Sequence, residues 1–216
     1  MTKQPGTACK VILFTSPHCA YCPAISKIFS ALNEQGLLSE FKKYDLTTHP
    51  SLAEKFNVRS VPWFKINSLE FFGSHTPAEI EYWVTHSSTP AGILRYITET
   101  LEAGQLNQIE NLIRKHPDWL AISLQILADT TSPIQARIGL GAVIESFAGD
   151  EILLTILPSL EVLLADADHR VRADACHYLG MIPSNKIKGL LTSCLSDEHP
   201  EVREVAEDGL ELIQSD

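Results

Sequence analysis

Two cysteines three residues apart lie in the segment Phe14-Thr-Ser-Pro-His-Cys19-Ala-Tyr-Cys22-Pro23, between a short apolar run and a helical pattern. Where such a segment joins a strand to a helix, the first thiol falls at the helix mouth. Unpaired N–H groups and the positive end of the helix dipole favour a thiolate there. Cys19 is then the nucleophile. Cys22, one turn further in and more buried, is placed to attack a mixed disulfide formed on Cys19 and release the substrate reduced. The spacing also permits a small disulfide between the two. Pro23 costs little in the first turn, where its missing N–H would have had no intrahelical partner. His18 precedes the nucleophile and can lower its pKa by charge; an exposed loop histidine without effect is the plain alternative. Thiol–disulfide exchange of this kind requires no cofactor.

Zinc ribbons and chance pairs also contain Cys-x-x-Cys. A four-thiolate site needs a second such pair, and Cys9, Cys176 and Cys194 stand alone in the sequence. Cys176 and Cys194 fall in apolar helical stripes and read as small buried hydrophobes; Cys9 carries no expected function. His49, His116, His169 and His199 sit in turn-like breaks without ligand spacing, so no metal site is expected.

A second signature is Val58-Arg-Ser-Val61-Pro62-Trp63. A proline at a strand entry facing a Cys-x-x-Cys is the place to expect a cis bond, here Val61–Pro62. Its role would be to hold the Val61 backbone free for an extended substrate segment beside Cys19. Pro62 also withholds an N–H and keeps a further ligand from the thiols, which discourages metal capture. Tyr21 and Trp63 are read as apolar rim contacts for substrate, with core packing an equal account of Trp63.

These residues need a scaffold, and the first half supplies one. Val11–Phe14 reads as a buried strand. Pro23–Gln35 carries Ile25, Ile28, Phe29 and Leu32 on one helical face, stopped by Gly36. Phe41–Leu46 is a second strand, Pro50–Phe56 a short helix, and Val61–Ile66 a third strand. Asn67-Ser68 turns into Leu69–Phe72. Thr76, Pro77 and Glu79 form a capping-box start to a helix ending near His86. The order is βαβαββα, an α/β unit with a mixed sheet. Ser87-Ser88-Thr89-Pro90-Ala91-Gly92 reads as a linker or hinge, dividing the chain into domains 1–88 and 89–216.

Past the linker the pattern is all-α: seven or eight helices of roughly 10–15 residues, separated by short breaks that imply antiparallel neighbours. The region repeats. Asp166-Ala-Asp-His-Arg-Val171-Arg172 matches Asp197-Glu-His-Pro-Glu-Val202-Arg203 at an offset of 31, and a weaker copy ends at Arg137. Helical hairpins that cannot bury their apolar face alone stack into a solenoid. Arg172 and Arg203 are read as a ladder bonding the turn aspartates Asp166 and Asp197.

Composition narrows the function. The 216 residues carry a formal net charge of −10. Residues 1–88 hold 8 Lys/Arg against 7 Asp/Glu, whereas 89–216 hold 9 against 20. Neither half offers the basic face that a nucleic acid requires. No apolar stretch is long enough to span a membrane, and the N-terminus lacks a signal-peptide core. A cytoplasmic location is therefore expected.

The first half resembles the thioredoxin superfamily over about residues 9–86. The likeness rests on the Cys-x-x-Cys, on Val61-Pro62, and on a gapless run from Lys43-Tyr-Asp-Leu through His49-Pro50 to Ala53-Glu-Lys-Phe-Asn-Val-Arg59-Ser-Val61-Pro62. It implies that Lys43 stands near the active site and tunes the thiols. Leu13 replaces the buried aspartate that assists the resolving thiol in that family. Cys-Ala-Tyr-Cys after a proline is closer to glutaredoxin-like and small archaeal-type members. The second half resembles HEAT repeats of the short variety first named from phycobilisome lyases, most clearly over residues 150–213. Together these resemblances imply a thiol–disulfide oxidoreductase acting on protein disulfides or thiols, with electrons from a reductase or glutathione. The acidic helical repeats would dock a protein partner. The rival reading is a scaffold or adaptor with a structural thioredoxin-like domain; bilin attachment is a weaker third, resting on fold alone.

Overall fold

The structure, a computed structural model, describes residues 9–215. The N-terminal stretch read for targeting lies largely outside the described residues. The chain divides at Ile93/Leu94 into two compact units, and no helix among the described residues is long and apolar enough to cross a membrane.

The first unit runs β1 (Lys10–Thr15), α1 (Cys22–Glu34), β2 (Glu40–Asp45), α2 (Pro50–Lys55), β3 (Trp63–Ile66), β4 (Leu69–Phe72) and α3 (Pro77–His86). This is the expected βαβαββα order. The strands form one mixed sheet in the order β2-β1-β3-β4, with β1 parallel to β2 and antiparallel to β3. Side chains alternate between its faces. Leu13 and Phe64, partners in register, face α1, where Phe29 packs edge-on against Phe64. Phe14 and Trp63 face the other way and pack with Ala53 of α2 and with Phe56.

The turns follow their side chains. Asn67 takes a φ of +53°, a left-handed conformation asparagine tolerates, between the paired ends of β3 and β4. Its side-chain oxygen accepts from the Lys10 N–H, and its amide donates to the hydroxyls of Ser87 and Ser88. Thr76 and Glu79 close the expected reciprocal capping box at α3.

The linker is shorter than expected. Helix α4 (Pro90–Glu102) already includes Ala91 and Gly92, and Ser87 is buried. A β-carbon at Gly92 would lie about 2.0 Å from the His86 carbonyl oxygen. The glycine read as part of a linker or sharp hinge is a close-approach residue inside a helix, which allows the α3–α4 turn to close.

The second unit continues with α5 (Leu106–Lys115), α6 (Asp118–Ser123), α7 (Gln125–Ala128) and α8 (Ile134–Glu145). A 3-10 turn (Glu151–Thr155) precedes α9 (Leu157–Leu163), α10 (His169–Leu179), α11 (Ile187–Cys194) and α12 (Pro200–Ser215). Several of these helices are shorter than the apolar pattern predicts. Between α6 and α7 the buried Ser123 hydroxyl bonds back to the Leu120 carbonyl, a local competitor to the helical ladder.

The repeat is structural as well as textual. The N–H of Asp168 donates to Asp166 Oδ1, and 31 residues on, that of His199 donates to Asp197 Oδ1, both at 2.8 Å. Arg172 and Arg203 each reach back to two carbonyls of their own turn, those of Asp166 and Ala167 and those of Asp197 and Glu198. The expected ladder onto Asp166 and Asp197 is present. Within its own turn each arginine bonds backbone oxygens, and the carboxylate that Arg172 grips, with two contacts of 2.8 Å, is Asp197 of the next copy. The guanidinium is long enough to span from one hairpin to the next, and its fork matches a carboxylate.

Candidate functional site

Strand β1 ends at Thr15, and the loop Ser16–Tyr21 leads directly into α1. Cys22 is the first helical residue and Pro23 follows in the first turn. The cysteines are joined by a disulfide, with Cα atoms 5.5 Å apart. Cys19 is half-buried, whereas Cys22 is only 3% exposed. The asymmetry matches the division of labour that exchange demands, with one sulfur reachable from solvent and one behind it.

The electrostatics favour charge on the outer sulfur. The Cys22 N–H donates to Cys19 Sγ at 3.1 Å. Tyr21 at the N-cap makes no side-chain cap bond and the first turn holds no acidic residue, so the positive helix end faces Cys19 without a carboxylate in that turn. Ser16 braces the loop, its carbonyl accepting from the Cys19 N–H and its hydroxyl from the His18 N–H.

An open cleft of about 860 Å³ borders the pair. Cys19, Cys22 and Lys43 line it, along with Ser26, Asp45 and His49. Lys43 is brought there by the parallel register of β1 and β2, which sets Leu13 opposite Lys43 and Thr15 opposite Asp45 on one face. Asp45 and His49 were not singled out from sequence. Asp45 sits well below the usual carboxylate range because the Thr47 hydroxyl and N–H both donate to it. An Asp-x-Thr turn at the end of a strand is the signal that points to it.

The remaining expected residues divide. His18 and Tyr21 are exposed, Tyr21 at 64%. The Val61–Pro62 bond is cis, and because Phe14 pairs with Trp63, that bond flanks the end of β1 where the cysteine loop begins. Trp63 is not at the rim. It is 1% exposed, wedged against Phe14 and Phe56; the alternation along β3 turns its ring into the core beneath the sheet. Leu13 is fully buried on the face of the sheet that packs on α1.

Cys9 is buried and free, and burial pushes its thiol up to about 11. Cys176 and Cys194, isolated in the sequence, are neighbours in the fold. They are free, buried thiols on α10 and α11, close enough to shift each other in opposite directions: the proximity of Cys194 and burial push the Cys176 pKa strongly upward, while Cys194 is drawn down to about 7.

A mixed sheet that presents Cys-x-x-Cys at the mouth of its first helix, with a cis-proline ahead of β3, defines the thiol–disulfide oxidoreductase class. Comparison agrees. Residues 4–77 match the Thioredoxin family. A thioredoxin of Methanocaldococcus jannaschii is 33% identical over 69 residues, covering 81% of that protein and 31% of this chain. The chain belongs to the thioredoxin family through its N-terminal unit, with a mostly helical region attached.

Proposed function

We propose that the protein carries out dithiol–disulfide exchange on protein substrates. The observation that carries this reading is the Cys22 N–H held on Cys19 Sγ at the mouth of α1. In the reduced protein the Cys19 thiolate attacks a substrate disulfide, forming a mixed disulfide and releasing one substrate thiolate. Cys22 then gives up its proton and attacks Cys19 Sγ. The second substrate thiol leaves and the Cys19–Cys22 disulfide forms. Two electrons and one proton from a dithiol reductase or from glutathione restore the Cys19 thiolate and the Cys22 thiol.

Val61 would offer its backbone to an extended substrate segment, with Pro62 fixing the loop, and Tyr21 would supply an exposed apolar contact. His18 and Lys43 would tune the Cys19 thiolate by charge. In this reading residues 1–88 perform the chemistry, and residues 89–216, as HEAT-like repeats of the short lyase type, dock a protein partner through their acidic surface. Reduced protein incubated with a disulfide-containing protein tests the proposal. Cys22→Ser is expected to accumulate a covalent adduct through Cys19, and Cys19→Ser to form none. Absence of any adduct from Cys22→Ser, together with no disulfide reduction by the wild-type protein beyond that of Cys19→Ser, would favour the scaffold reading instead.

A further inference from the structure

We propose that His169, His199 and Glu201 form a binding site for a divalent transition-metal ion of the zinc class, bridging the starts of α10 and α12. One ligand atom from each of the three residues lies within 4.8 Å of the other two. His169 Nε2 is 3.4 Å from Glu201 Oε2, and His199 Nδ1 is 3.9 Å from the same oxygen. Ligand bonds of about 2.0–2.1 Å in a tetrahedral arrangement set donor atoms roughly 3.3–3.5 Å apart, so the two separations to Glu201 are already near that spacing and the rings must reorient to bring the two imidazole nitrogens into it.

The repeat shows why this cluster is more than a by-product of helix stacking. At the offset of 31, His199 stands where the preceding copy has Asp168, and Glu201 where it has Arg170. Asp168 caps its helix, its carboxylate accepting from the Arg170 N–H at 2.9 Å. His199 keeps the same turn, its N–H on Asp197 Oδ1, yet its own Nδ1 is buried with no hydrogen-bond partner. An imidazole nitrogen shut off from water and bonded to nothing is unfavourable as it stands; a metal ion would satisfy it. His169 stacks on His199 with ring centroids 3.6 Å apart, so its ring is already beside that nitrogen. Two imidazoles and one carboxylate are a donor set suited to zinc, leaving a fourth position for water. Glu201 supplies negative charge against the positive helix ends, while the neighbouring cation Arg170 is held by Asp168. Binding requires the rings to turn out of their stack until their in-plane lone pairs converge. The ion would then clamp α10 to α12.

The test uses the full chain, stripped with chelator and with the Cys19–Cys22 disulfide intact, so that those thiols cannot capture metal. Calorimetric titration with zinc is expected to show one equivalent bound. Glu201→Gln, at an exposed residue that folding does not require, and His169→Ala should each weaken binding at least tenfold with unchanged circular dichroism. Cobalt substituted for zinc should show tetrahedral d–d bands without thiolate charge-transfer absorption. Failure of the oxidised wild type to bind zinc, unchanged affinity in both variants, or thiolate bands in the cobalt spectrum would each overturn the site.

Discussion

The two cysteine pairs of this chain occupy opposite settings. Cys19 and Cys22 sit three residues apart at a helix mouth, beside an open cleft, with a backbone N–H directed at the outer sulfur. Cys176 and Cys194 come from different helices and are both buried. Cys194 donates its hydrogen to the Leu190 carbonyl, and the two thiol pKa values are driven apart, Cys176 strongly upward and Cys194 down to about 7, although neither borders the open cleft. A donor pointed at sulfur stabilises the thiolate, whereas an acceptor beside it stabilises the thiol. Reactivity is a property of the surroundings.

The contrast is broken most severely at the first pair. Cys19→Ser should reduce disulfide turnover to the uncatalysed rate, measured with a protein disulfide under a continuous supply of reductant, while Cys176→Ser should leave turnover unchanged. Comparable losses in both variants would show that the second pair takes part in the chemistry.

Alkylation of the reduced native protein near neutral pH gives a graded measure. Cys19 should react at least about a hundredfold faster than Cys176, because the thiolate is the nucleophile and burial raises the thiol pKa. Peptide mass spectrometry over time separates the two rates, and similar rates would erase the distinction.

A smaller effect is expected at Arg172, whose charge lies close enough to Cys176 to act on it. Its hydrogen bonds hold Asp197 down at about 2. A carboxylate depressed on folding contributes stability above its ordinary range and loses it as pH falls through the folded value. Wild-type stability should therefore drop between about pH 4 and pH 2 more steeply than that of Arg172→Met, which is already less stable at neutral pH. Acid titrations followed by circular dichroism compare the slopes. The smallest effect is expected from Cys176→Ala, a loss of about 1 kcal/mol for a small buried group, read from denaturant midpoints with activity unaltered.

Much of the reactive pair was legible because its determinants are local. Strand, loop and helix follow one another within Lys10–Glu34, and Cys19, Cys22 and Pro23 acquire their roles from position along that stretch. The capping box at Thr76 and the hairpin at Asn67 are likewise short-range, each decided by a side chain and a backbone group a few residues away. Trp63 and Gly92 were harder. Trp63 could face either side of β3 until the register with Phe14 set the alternation. Gly92 reads as part of the linker or hinge because sequence carries no sign of the His86 carbonyl that excludes a β-carbon.

The amino-acid sequence by itself determined the α/β order of the first half, the helical repetition of the second, and the pairing of Cys19 with Cys22. Periodicity, capping and a three-residue spacing are written in neighbouring residues. Only the tertiary structure decided what distant residues do together: Lys43 and Asp45 at the cleft, Arg172 on the next repeat's Asp197, Cys176 against Cys194, and His169 against His199. Those juxtapositions arise from strand register and helix stacking, which bring together side chains whose separation along the chain carries no chemical signal.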